Sequence, residues 1–322
     1  MISRTTSLSL RGAWHRAWSL SPALTLGTAV MLLGVVFSSL GLVLDSRQLL
    51  GEPVWLKPAK FYVSVAVYNA TLLYLFGFLD PRQRLVRTVG TVLSVCGGLE
   101  MVAITIQAAR GMRSHFNIAT AFDVAIYAGM GIVITTLWVT MMVLTVMLMR
   151  TALTDRVLAS ALRIGAVVAV VGMGLGFFMT MPHGEQPMGL EAGQTPLENG
   201  GHSFGGRDGG PGLPLVGWST TVGDMRPAHF LGLHGMQVLP LLAALLARRR
   251  SRSEAWSLAV IRASGVAYGG LTLVLALQAL RGLPVTQWDA AGIASLVGVI
   301  LASLVTFAAH RVSSVRLAGE VG

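Results

Sequence analysis

The chain has 322 residues, of which 53% are hydrophobic and only 12% charged. A soluble domain carries about twice that share of charge, so the composition excludes an ordinary cytosolic enzyme and points to a multispanning membrane protein. The net charge of +10 would indicate nucleic acid in a soluble chain, but here the positions of the charges assign it to topology.

In chain order, eight stretches reach the roughly 20 residues needed to cross the hydrocarbon core: 22–44, 59–79, 88–109, 119–149, 163–181, 228–247, 258–280 and 289–310. The first follows Arg4, Arg11 and Arg16, as a signal peptide would. Its apolar run is too long for a signal h-region and has no small-x-small cleavage site, which predicts a retained signal anchor. Cys96, the single cysteine, lies inside the third stretch, where a free thiol packs as a small hydrophobe.

Eight spans put both termini on one side, and that side collects 16 of the 24 Lys and Arg residues, including Arg248, Arg249, Arg250 and Arg252. The asymmetry predicts cytoplasmic termini in the inner membrane of a bacterium. Anionic lipid and control of orientation account for these arginines without a nucleic-acid partner.

Three short segments recur in order. Lys57-Pro58-Ala59-Lys60-Phe61 matches Arg226-Pro227-Ala228-His229-Phe230; Gln107-Ala108-Ala109-Arg110-Gly111 matches Gln278-Ala279-Leu280-Arg281-Gly282; and Thr120-Ala121-Phe122-Asp123 matches Thr286-Gln287-Trp288-Asp289. Their offsets, 169, 171 and 166 residues, differ only by small loop changes. The expected fold is therefore all-α: a polytopic membrane helix bundle of eight transmembrane helices built as two parallel four-helix repeats. The repeats are residues 1–156 and 157–322, and the second carries a Gly-rich outer loop at 182–226. With 12 glycines in 45 residues, that loop reads as a mobile solvated linker, or else as a lid carrying His202 and Asp208.

All six recurring segments fall on the expected outer ends of helices. Lys57, Lys60 and Arg226 put positive charge at helix N-termini, where the backbone dipole favours anions. Arg110 and Arg281 defy the positive-inside trend at matching positions, and Asp123 and Asp289 are their expected partners. Gln107 and Gln278 would orient the cations. Glu100 lies about 15 Å below Arg110 on Gln107's helix, a depth at which an ionisable group marks function; a bond to Asn69 or Tyr68 is the structural alternative.

The remaining candidates are outer histidines: His115, His183, His229 and His234, which would hold haem or a divalent metal. His229 and His234 are five residues apart, about 140° around an ideal helix, and meet one ion only if that helix is irregular; Gly232, Gly235 and Pro240 would allow it. No G-x-S-x-G, H-E-x-x-H or P-loop signature occurs.

At Lys57-Pro58-x-Lys60-Phe61, at Gln107-x-x-Arg110-Gly111 with Ser114-His115-Phe116-Asn117, and at His229-Phe230-x-Gly232-Leu233-His234, the chain resembles a group of uncharacterised bacterial integral membrane proteins. That resemblance implies no activity. The chain is also similar to membrane zinc hydrolases that gather His, Asp and Ser at one face, but their H-x-x-x-H pair is replaced here by a wider spacing. The leading expectation is a protein that binds an anionic small molecule or lipid headgroup in an outer-face cleft between the repeats, for transport or sensing. The alternative is a metal- or haem-dependent membrane enzyme or electron carrier. Membrane lipids are partners in either case.

Overall fold

The computed structural model describes residues 9–182, 197–249 and 253–319, the last eight of these by backbone alone. His183, Arg4, Arg250 and Arg252 lie outside the described residues, as does the side chain of Arg316.

The described chain is all-helical. Its α-helices are α1 (Leu10–Leu20), α2 (Pro22–Leu44), α3 (Leu56–Phe76), α4 (Arg84–Ala109), α5 (Ala121–Arg150), α6 (Arg156–Leu175), α7 (Arg226–Leu233), α8 (Gly235–Ala247), α9 (Glu254–Leu280) and α10 (Ala290–Gly319). Seven helices are long and apolar enough to cross a membrane: α2 to α6, α9 and α10. The eighth expected stretch is a pair: α7 and α8 meet at His234 with a 45° bend, so counting them as one span gives up to eight. Gly232 and Gly235 flank the break and Pro240 follows it, which supplies the irregularity that the sequence allowed.

Helix α1 was not among the expected elements. It is too polar to span, and it stacks Trp14 on Trp18 at 6.0 Å, one turn apart, both nearly half-exposed. That is the pattern of a helix lying along a membrane interface. Pro22 at the first position of α2 forces Ser21 into extended backbone. Ser21 ends α1 and, through its hydroxyl, caps Leu24 N–H at 3.3 Å.

The chain divides into two compact units, one of Met1–His115 with Ala125–Met147, the other of Phe116–Val124 with Leu148–Gly322. In the first, α2, α3 and α4 pack around Met31, Ala66, Met101 and Ile104, joined by Met130 of α5. In the second, Ala161 of α6, Leu239 and Ala243 of α8 and Ile261 of α9 form the core. Here α6 and α7 touch backbone to backbone: a Cβ on Gly172 would sit 2.5 Å from Gly232 Cα. Such small-residue contacts give membrane helices the dispersion energy that water expulsion cannot supply. Helix α10 lies along α9, with Ile300, Leu304 and Val305 on its exposed side.

The described part of the Gly-rich loop, 197–225, departs from the expected linker, because it is closed by hydrogen bonds. Strands Ser203–Phe204 and Gly223–Asp224 pair antiparallel. Asp208 accepts the N–H groups of His202 and Ser203 at 3.0 and 2.8 Å. Burial alone would raise its carboxyl, but the bonds to His202 and Ser203 outweigh this and hold it well below the usual carboxylate range. Phe116 meets the His202 ring edge-on at 5.0 Å. His202 and Asp208 bond each other at 3.1 Å.

Candidate functional site

Two helix ends are built alike. Helix α4 closes on Gln107, Arg110 and Gly111, and α9 on Gln278, Arg281 and Gly282. Both glycines have positive φ, +70° and +76°, the conformation that lets a helix stop. The N–H groups of Met112 and Leu283 return to the carbonyls of Gln107 and Gln278 at 2.9 and 3.2 Å. Each buried glutamine then reaches the carbonyl six residues on: Gln107 Nε2 donates to Arg113 O at 3.3 Å, and Gln278 Nε2 to Pro284 O at 2.7 Å. Gln278 also holds Gln287 O at 2.8 Å. The recurring Gln and Gly therefore pin a loop to a helix end.

Arg281 forms a two-point pair with Asp289, at 2.9 and 3.0 Å, as expected for that half. Asp289 is the N-cap of α10; the Gly292 N–H first, and then Arg281, hold its carboxyl below the ordinary carboxylate value. Arg110 Nη1 donates to the Gln107 carboxamide. Asp123 is fully buried in the first turn of α5, where Thr120 Oγ1 donates to it at 2.6 Å and accepts its N–H at 3.1 Å. The two recurring aspartates thus occupy different helix positions, one as cap and one inside the first turn.

The helix starts also diverge. Arg226 opens α7 and forks onto Asp224 at 3.0 and 2.6 Å, with Gly217 O at 2.5 Å; the Asp224 side chain is wholly buried. Lys57, in the first turn of α3, places its ammonium 3.1 Å from His115 Nδ1 and 5.7 Å above the centre of Phe61. An ammonium only donates, so His115 Nδ1 accepts, and the ring is the neutral form protonated at Nε2. Ser114 Oγ shares that nitrogen at 2.9 Å. Lys60 stands apart on Glu52 at 3.8 Å, both well exposed.

Below Lys57, the interior of the first unit holds polar atoms that nothing satisfies. Tyr68 Oη, both amide atoms of Asn69 and Glu100 Oε1 are buried without a hydrogen-bond partner. The expected structural bond from Glu100 to Asn69 or Tyr68 is therefore not formed. Asn69 is 1% exposed, and a Cβ on Gly27 of α2 would come within 3.2 Å of its Nδ2. An unmet polar atom in hydrocarbon costs several kcal/mol, and four such atoms belong to these three residues.

His115 belongs to the first unit. In the second, His229 Nδ1 donates to Gly172 O at 2.7 Å beside Gly176, and His234 sits at the α7–α8 break with its ring 4.3 Å from Phe230. Among the described residues, no group of three or more His, Cys, Asp or Glu is placed to hold a metal ion.

Sequence reasoning passed over the Asp-x-Arg pairs. Asp45 takes Arg47 Nε and Nη2 at 3.0 and 2.7 Å and Trp55 Nε1 at 2.8 Å, while Arg47 reaches Ala109 O at the end of α4. The Arg47 bonds, and next that of Trp55, push the Asp45 carboxyl far below its ordinary value. Asp224-x-Arg226 repeats the pattern, each carboxylate also accepting the N–H two residues on, at 3.1 and 2.9 Å. That spacing, an Asx turn, was the readable signal.

Compared with protein-family models, with curated proteins and with solved structures, the chain finds no match.

Proposed function

We propose that the first unit binds a small anionic molecule or the headgroup of an anionic lipid, with Lys57 supplying positive charge and Tyr68, Asn69 and Glu100 receiving the polar part of the guest. The single observation that carries this reading is the set of unsatisfied buried atoms below Lys57. A purely structural polar cluster bonds to itself; this one does not. In this reading Gln107 and Arg110, at the end of α4, add polar and positive groups above it, while Lys60 stays with Glu52.

In the same reading, α7 and α8 form one broken span, the eight spans form two repeats, and both termini face the cytoplasm. The matched ends at Gln107 and Gln278 support the duplication, and the arginine distribution supports the orientation. Arg226, Arg281, Gln278 and Asp289 then serve the second repeat as structural counterparts of the binding groups.

Thermal unfolding of the purified chain with inorganic phosphate, small carboxylates, glycerol phosphate and phosphatidylglycerol tests the proposal. One anion class should raise Tm in the native chain and fail to do so in Asn69→Leu and Lys57→Gln. If no anion stabilises selectively, or if Asn69→Leu responds as the native chain does, the reading fails.

A further inference from the structure

At the opposite end of the helices from Gln278, the second unit contains a cavity of about 420 Å³ where α5 finishes and α6 and α9 begin. Its polar lining is Arg156, Ser160, Arg163 and Arg262. Arg156 and Arg163 are seven residues apart, two turns on one face of α6, and Ser160 lies between them. Arg262 lies about 12 Å along α9 from its start, within the span Glu254–Leu280.

The three guanidiniums are unequally engaged. Arg156, largely exposed, meets Glu254 at 3.5 Å. Arg163 Nε and Nη2 donate to Leu148 O and Thr151 O at 3.3 and 2.9 Å, closing the end of α5 and leaving its other N–H groups to the cavity. Arg262, half-buried, makes no hydrogen bond or ion pair among the described residues. Three like charges around one space repel, and one exposed carboxylate at the rim does not balance them. A guanidinium inside a span persists by pairing or by reaching water or phosphate.

The remaining walls are apolar. Leu258 is buried, whereas Ile164 and Val167 continue up α6, with Val167 41% exposed on the side that a bilayer would cover. Cationic donors at the mouth and an aliphatic track leading into hydrocarbon fit a phosphate carrying an acyl chain better than a free ion. We propose that this cavity is a binding site for an anionic phospholipid, its phosphate held by Arg156, Ser160, Arg163 and Arg262 and its chain laid along Ile164 and Val167. The site is separate from the one proposed in the first unit.

Native mass spectrometry of the full chain, released from micelles with added phosphatidylglycerol, phosphatidylcholine or inorganic phosphate, tests it. Phosphatidylglycerol should stay bound while the other two are lost. Arg262→Gln should weaken its retention roughly fivefold, as expected for one arginine near the headgroups, whereas Arg248→Gln, which removes an exposed charge elsewhere, should not. If Arg262→Gln does not fold, Arg156→Gln at the exposed start of α6 carries the same test. Asn69→Leu should retain the lipid like the native chain, which separates this site from that of the first unit. Equal retention of both lipids, equal binding of inorganic phosphate, or parallel losses in the Arg262 and Arg248 variants would overturn the proposal.

Discussion

The ends of α4 and α9 share one construction and serve different surroundings. At α9 the charges are closed: Arg281 on Asp289, Arg226 on a buried Asp224, and Gln278 on two carbonyls. At α4 the same glutamine and glycine pin the same loop, but the helices below retain Tyr68, Asn69 and Glu100 unsatisfied. Of the buried unsatisfied side-chain atoms among the described residues, only Gln278 Oε1 belongs to the second unit. The lesson is that a recurring motif fixes a backbone device, while the neighbours decide whether the side chains around it become structure or a site.

That contrast sets opposite signs for substitutions in the two units. The largest effect belongs to Asp224→Ala, which strands Arg226 and the N–H groups of Ser219 and Arg226; the expected loss is about 3 kcal/mol, read as a large fall in Tm by thermal unfolding in detergent. Next comes Gly172→Ala, whose Cβ meets Gly232 backbone rather than a movable side chain, at roughly 2 kcal/mol in the same assay. In the first unit Asn69→Leu should run the other way. It exchanges two unmet polar atoms for a similar apolar volume, so Tm without ligand should hold or rise, by up to about 1 kcal/mol. A fall as large as that of Asp224→Ala would erase the difference between the units.

Smaller effects sharpen it. Arg281→Gln opens a pair in which both side chains are more than a third exposed, so its fall in Tm should be well below that of Asp224→Ala. Acidification reads the loop of the second unit. Because the Asp208 carboxyl is held below its ordinary value, its stabilising contribution is complete above about pH 4 and drains away as pH falls further. Protection of the His202 and Ser203 amides, taken relative to the intrinsic exchange rate at each pH, should fall in that range and stay unchanged across neutral pH.

The spans were legible because crossing hydrocarbon imposes a length and an apolarity that no tertiary contact overrides. Pro22, Pro58, Pro227, Gly111 and Gly282 marked starts and stops for equally local reasons. What the sequence left unread depends on partners distant in sequence. Whether Asn69 is satisfied turns on Gly27 and on helix α4, and whether Arg47 is a topology signal or a clamp on Ala109 turns on a contact 62 residues away. Helix α1 escaped notice because it is too polar to register as a span, although Trp14 and Trp18 carry the spacing of an interfacial face.

The joint at His234 has a mechanical corollary. Leu231 O accepts from the His234 N–H and also from the Tyr268 hydroxyl of α9, at 2.8 Å. The same N–H keeps its ordinary helical acceptor, Phe230 O, at 3.3 Å, so the Tyr268 hydroxyl holds the carbonyl of this shared bond and ties the elbow to its neighbour. A pair of spin labels spanning the elbow would then report on Tyr268→Phe as a change in distance, making a single hydroxyl the gauge of how stiffly this part of the bundle is held.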